Sequence, residues 1–261
     1  MANLKNPRPV TAIGSTHSDT DTLTIRGRDT LTDIMGKKSF TETFFFIVTG
    51  QMPDTKQTVC FDACLNILMD HGLTPSALVS RLVEDNVPED MQVGMAAGLL
   101  VVANRHVGTM TGAGRILEEG PGEGETEEDW ADRVVAEHRA AKKRLPGFGH
   151  PHYAPEDPRA LRLFEIAAQA GCEGTHIRRM RLIEAAIEKS LGKHLTLNIT
   201  GAIGAVLTEI GFPSEAMRGV AVVSRAAGLV AHMVEEKQTG IGQHLVAWAD
   251  REVEVTEPEN F

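Results

Sequence analysis

Three histidines stand beside glycine or at the end of an expected helix: His71 in "MDHGLTPS", His106 in "NRHVGTM" and His150 in "RLPGFGHPHY". Imidazole changes charge near neutral pH, so each could bind an anion or move a proton, or serve as a satisfied structural group. His152, His176, His194 and His232 are read as structural. Two arginines accompany the set. Arg159 follows the histidine loop in "EDPRA", where a Pro-Arg pair opens a helix, and Arg225 lies inside the apolar "VAVVSRAAGLVAH". A guanidinium meets a carboxylate through two parallel charge-assisted bonds, and burying one without a partner is costly. Arg225 therefore needs an anion, either an Asp or Glu of the chain or a ligand carboxylate, and the sequence leaves both open. Lys142, Lys143 and Arg144 precede the glycine loop, a basic group that could meet phosphates or complement a helix end. "GEGETEE" has neither a lysine nor a flanking strand and is not a phosphate loop.

The elements that must position these groups are helical. Gly147 and Gly149 let the backbone around His150 approach a ligand or take positive φ, and Pro146 and Pro151 stiffen it, so the segment reads as a rigid loop. Residues 1–20 are polar and aperiodic, a loose arm, and "DTLTIRGRDTLTDIMGKKSF" offers short strand-like pieces and turns. Ser39 and Glu42 form a capping-box pattern at the first helix. Apolar spacing of three and four predicts a helix over "DTKQTVCFDACLNILMDHG" closed by Gly72, and another over "TPSALVSRLVEDNV". "DMQVGMAAGLLVVANRHVGTMTGAGRILEEG" reads as buried helix interrupted by its glycines, "PGEGETEEDW" as an acidic surface loop, and "ADRVVAEHRAAKKRL" as helix. Four helices follow the histidine loop, each closed by glycine. The fold class is all-α.

With 261 residues the chain can form a large lobe and a small one, and 42% hydrophobic with 24% charged residues is ordinary globular composition. The formal charge of −10 argues against nucleic acid as a partner. No run resembles a membrane span and "MANLKNPRPV" lacks the apolar centre of a signal peptide, so no membrane and a cytoplasmic location are expected. Cys60, Cys64 and Cys172 fit neither a disulfide framework nor a zinc site and read as buried small hydrophobes; no metal is expected.

"MDHGLTPS", "GFGHPHYAPEDPRA", "LNITGAIGAVLTEIGF" and "VSRAAGLVAHMVEE", in that order, resemble the citrate synthase superfamily, most closely its short lyase-like members, the citryl-CoA lyases, including the C-terminal module of ATP-citrate lyase. The resemblance runs from "IRGRDTLTDIMGKKSF" to "EEKQTGIGQHL". It implies a citrate synthase-like fold with a large helical domain (21–150 and 220–261) and a small one (151–219) closing over acyl-CoA, in a homodimer or higher homo-oligomer. It implies that His71, Arg159 and Arg225 hold the oxo-acid or its carboxylates, that His150 meets the ketone or alcohol oxygen, and that His106 donates to the thioester oxygen, although Val107 and Thr109 replace a glycine and an alanine of the family. Arg144, Gly147, Phe148 and Gly149 would contact CoA, which is a substrate; no tightly bound cofactor is implied.

Two positions depart from the family. Where it commonly has Asn-Val-Asp, whose aspartate moves the methyl proton of acetyl-CoA, this chain has Asn198, Ile199 and Thr200; where it commonly supplies an arginine across the dimer interface, this chain has Gln243. A hydroxyl is too weak to act as that base unaided. The expectation is therefore cleavage of citryl-CoA or a related 3-hydroxy-3-carboxyacyl-CoA to acetyl-CoA and an oxo-acid such as oxaloacetate, with His150 handling the hydroxyl, His106 the enolate, and a water on Thr200 replacing the aspartate. The missing arginine suggests a substrate with fewer carboxylates than citryl-CoA, or with an apolar substituent. The alternatives are citrate or methylcitrate synthase-type condensation, a non-catalytic CoA-binding regulatory homologue, and a thioester hydrolase.

Overall fold

The structure, a computed structural model, describes residues 10–15, 21–102 and 108–256. It is all-α apart from one small antiparallel ribbon, β1 (Thr24–Ile25) and β2 (Arg28–Asp29), turned through Arg26 and Gly27, both at positive φ. The Ser39–Glu42 capping box forms and opens α1 (Phe40–Thr49). A second box, Asp54 with Gln57, opens α2 (Thr55–Met69). α2 ends at Met69 and not at Gly72: Asp70 is extended, and Gly72 supplies the positive φ of the turn that follows. Asp70 accepts the Gly72 N–H at 2.9 Å, an Asx turn, so the side chain rather than a glycine cap stops the helix.

Next come α3 (Pro75–Asn86) and α4 (Met91–Leu100). Gly94 and Gly98 do not interrupt α4; they bring it against α3, because a Cβ at Gly98 would overlap the Ser80 hydroxyl and lie 2.8 Å from the Ser76 carbonyl. α5 (Gly108–Glu119) and α6 (Glu127–Ala140) follow. The acidic stretch expected to be loop supplies the first turn of α6. Thr126 caps it, and Glu127, Glu128 and Asp129 sit where the helix N-terminus favours negative charge.

The second half contains α7 (Pro158–Ala170), α8 (Thr175–Leu191), α9 (Ile199–Glu209), α10 (Met217–Thr239) and α11 (Ile241–Glu252), the last unforeseen because Gly240 reads as the end of the pattern. α9 is the axis of the core, packed by α5, α7, α8 and α2. Ala202, Ile203, Ala205, Val206 and Leu207 are fully enclosed, each large side chain contributing about 1.5–3 kcal/mol of apolar burial. Beside it Phe61 stacks on Phe212 at 5.0 Å, with Phe45 against both. Cys60 and Cys64 are buried in this core and Cys172 is half-buried, as small hydrophobes should be. A second cluster of Ala77, Leu229 and Met233 joins α3 to α10. The stretch Ser214–Thr239 is long and apolar enough by composition to cross a membrane, contrary to the reading of the sequence; in the fold it packs against α2, α3, α4 and α5.

Candidate active site

Three local structures converge. The first is the glycine loop before α7. Gly147 has φ +90, and a Cβ there would stand 2.7 Å from the Cα of Gly201, so the loop lies backbone to backbone on the start of α9. The Asn198 N–H donates to Gly147 O (2.9 Å), the Gly149 N–H to Thr196 O (2.7 Å), and the Asn198 side-chain amide to Gly149 O (2.9 Å). The loop is thereby held like a short ribbon, with Phe148 bridged to Leu197.

The second is the start of α7. Asp157 caps the helix, and its buried carboxylate accepts Arg159 Nε (2.9 Å) and Nη2 (2.8 Å), the Arg159 N–H (3.1 Å) and the Ile199 N–H (2.9 Å). Burial raises the Asp157 pKa, but these donors outweigh it and hold the carboxyl below its ordinary value. Asp157 thus fixes Arg159 side-on and ties α7 to α9. The Arg159 guanidinium also lies 4.7 Å from the centre of the Tyr153 ring, which stands 4.7 Å from the His150 ring.

His150 Nδ1 faces the backbone N–H groups of His152 (3.1 Å) and Tyr153 (3.0 Å). A nitrogen that accepts two N–H groups carries no proton, so the neutral ring is assigned its proton on Nε2. Nε2 is 3.2 Å from Arg159 Nη2. Two donors therefore converge on one small space, the geometry for holding an oxygen that becomes negative. In this tautomer Nε2 donates, so the ring could hold an oxygen but could not take a proton from it.

The third is the turn after α2, carrying His71, with Arg225 on α10. Gly228, one turn along from Arg225, lets α10 cross the end of α2, since a Cβ there would overlap the Met69 carbonyl oxygen. The charges of Arg159 and Arg225 both act on His71, and His71 and Arg159 both act on His150, so the four side chains share one neighbourhood. Burial, then these neighbours, lowers the pKa of both rings, keeping them neutral at neutral pH. Arg225 Nη1 is buried with no hydrogen-bond partner among the described residues. Burial lowers its pKa, opposed by the charge of Asp70, whose carboxylate is engaged elsewhere. Of the two partners left open for Arg225, no Asp or Glu among the described residues is bonded to that nitrogen.

Thr200 is bonded on both sides: it donates to Asn198 Oδ1 (2.7 Å), leaving Thr109 to donate to it (2.6 Å). Its proton is committed, and one lone pair remains to accept from a water. Gln243 donates to Asp85 on α3 (2.9 Å). Arg144 is exposed before the loop. His106 lies outside the described residues. Among these residues no group of three His, Cys, Asp or Glu could hold a metal. Reading residues singly misses Asp157 and Tyr153; the signal for Asp157 is an Asp before a proline at a helix start.

A family model described as the citrate synthase C-terminal domain matches residues 23–244. A citrate synthase of Synechocystis sp. is 25% identical over 204 residues, 77% of this chain and 50% of its own, so the chain spans half the length of that relative. The structure of citryl-CoA lyase from Hydrogenobacter thermophilus superposes with a TM-score of 0.82 at 31% identity, covering 95% of this chain and 94% of that one. ATP citrate lyase from Methanothrix soehngenii, solved with citrate and coenzyme A, shares the fold at a TM-score of 0.74 and 19% identity, over 98% of this chain and 42% of that one.

Proposed function

The chain belongs to the citrate synthase family, and from that footing we propose that it is a citryl-CoA lyase-type enzyme, cleaving citryl-CoA or a related 3-hydroxy-3-carboxyacyl-CoA to acetyl-CoA and an oxo-acid such as oxaloacetate. The observation that carries the reading is a ready clamp without an acid at the methyl end: His150 Nε2 and Arg159 Nη2 converge, Arg225 Nη1 has no partner among the described residues, and Thr200 has its proton bound to Asn198.

In cleavage the tertiary hydroxyl loses its proton, its oxygen becomes the ketone, and the bond from the carbinol carbon to the methylene beside the thioester breaks, leaving an enolate that gains a proton at that methylene carbon. The proton lost equals the proton gained, so the site needs a carrier and not a net source. His150 and Arg159 hold the oxygen as charge builds on it, while Arg225 and His71 hold carboxylates. The thioester oxygen is assigned to His106 through the family resemblance. A water that donates to the free lone pair of Thr200 takes the hydroxyl proton and delivers one to the methylene carbon. Condensation is the harder direction, because it begins by removing a methyl proton and Thr200 offers no base.

CoA would lie along Arg144, Gly147, Phe148 and Gly149, with the two lobes closing over it in a homodimer or higher homo-oligomer. The committed hydroxyl of Thr200 also favours a second reading, a CoA-binding regulatory homologue without chemistry. Mass spectrometry of products after incubation with citryl-CoA separates the two. Oxaloacetate with acetyl-CoA, lost in His150→Ala, supports the lyase. Citryl-CoA and less acidic hydroxyacyl-CoA thioesters all recovered intact would leave the binding reading.

A further inference from the structure

The turn that carries His71 is anchored from behind by a line of polar and charged groups that runs from the surface into the interior. Asp70 Oδ1 accepts the Nε2–H of His232 at 2.8 Å, while its other oxygen holds the Gly72 N–H. His232 Nδ1 accepts from Arg81 Nε (3.1 Å) and Nη2 (2.9 Å), which assigns the ring its proton on the nitrogen that faces Asp70. Arg81 is only 1% exposed and cannot give up its charge. It ion-pairs with Glu236, itself 3% exposed, at 3.0 Å, and with Glu235 at the surface. Glu236 in turn accepts the Gly242 N–H at the start of α11 (2.6 Å). The bonds of these groups run among themselves and away from the oxygen clamp of His150 and Arg159, and the proposed chemistry does not call on them.

What they do is decide which partner Asp70 has. Gly228 sets α10 directly on Met69, so Asp70, the next residue, lies beside the turn of α10 that bears Arg225. A carboxylate there is a natural counterion for the unpartnered Nη1 of Arg225, yet it is bonded to His232 and Gly72 instead. We propose that His232, oriented by Arg81, is a positioning residue that withholds Asp70 from Arg225 and so keeps the Arg225 guanidinium open for a carboxylate of the substrate. This rests on the reading of Arg225 as a carboxylate site. Without the His232 donor, Asp70 swings to Arg225 and competes with the ligand.

The test is calorimetric titration of the full chain with citrate, alongside crystal structures of the unliganded variants. His232→Phe should bind citrate about tenfold more weakly, the equivalent of one lost charge-assisted contact, and His232→Gln, which presents both a donor and an acceptor, should bind within about twofold of wild type. In an Asp70→Asn background, where no charge is left to compete, His232→Phe should cost nothing further; a merely structural role would leave the loss unchanged. The unliganded His232→Phe structure should place Asp70 on Arg225 Nη1. Asp70 found still on Gly72 with Arg225 unpartnered, or a tenfold loss that persists with Asp70→Asn, would overturn the inference; should His232→Phe not fold, the same structure and cycle with His232→Ala decide it. A wild type that does not bind citrate would count against the carboxylate site itself, and the placement of Asp70 would still be decided by the crystal structures.

Discussion

Asp157 grips Arg159 through both oxygens, on Nε at 2.9 Å and Nη2 at 2.8 Å, and leaves the guanidinium edge pointing at His150. Asp157→Asn removes the charge from a buried pair and should lower stability by about 3 kcal/mol, read by urea unfolding. Product formation from citryl-CoA should fall at least about tenfold, since Arg159 is no longer aimed. Wild-type stability together with wild-type turnover would refute the arrangement. Because the folded Asp157 pKa lies below the unfolded one, its stabilisation is present above the ordinary carboxylate range and is lost as pH falls through the depressed value. In the Asp157→Asn variant that part of the acid sensitivity should be missing.

The His71 and His150 rings should titrate below the ordinary value of 6.5, which imidazole NMR can follow directly. Burial is the larger cause and Arg159 the next for both rings. Arg159→Met should therefore move both upward together. Unmoved rings would place Arg159 outside their neighbourhood. With folded values depressed, both rings disfavour the folded state as pH drops below 6.5 and contribute no such penalty above it.

Gly228→Ala should be among the most damaging small substitutions in the chain. Its methyl group overlaps the Met69 carbonyl, which is backbone and cannot rotate aside. α10 must lift from α2, at a cost of about 1–3 kcal/mol or more, and citrate binding should be lost even where the protein stays folded. Calorimetry beside thermal unfolding checks both, and tight citrate binding by the variant would contradict the close crossing.

Thr200→Asp restores a carboxylate where the hydroxyl is now bonded to Asn198 and Thr109. In deuterium oxide with oxaloacetate or an analogue present, the variant should exchange the methyl protons of acetyl-CoA at least about tenfold faster than wild type, a well-placed general base being worth roughly 10²–10⁴. Equal exchange would mean that the missing acid is supplied by another group.

Gln243→Arg tests the lost clamp. Turnover of citryl-CoA should improve relative to less acidic analogues if the position faces substrate across an interface. An introduced arginine that pairs with Asp85, the present partner of Gln243, would leave the ratio unchanged.

Much of the fold and of this site can be read from residue order because the signals are local. The Ser39 capping box, Pro158 at a helix start and the paired glycines around Phe148 each act within a few positions of themselves. The Asp70–His232 and Arg81–Glu236 bonds span more than 150 positions, and nothing in "SRLVED" marks its arginine as the buried one. An acidic turn looks like loop in sequence, so the expected start of α6 falls too late, although carboxylates are what a helix start attracts. The expected end of α2 falls at Gly72 because a glycine after apolar periodicity usually caps, whereas here the Asp70 side chain makes the turn. Gly94 and Gly98 read as breaks because contact with another helix has no signature in their own neighbours.

The loop of Gly147 and Gly149 is laced to residues 196–198 and pressed on Gly201, while Asp157 binds both Arg159 and the N–H of Ile199. His150, Arg159 and Thr200 are therefore carried on one cross-braced block, and since α2 packs on both α7 and α9, the His71 turn at its end belongs to the same packed frame. The groups that the proposed reaction needs would thus be in place before any thioester arrives.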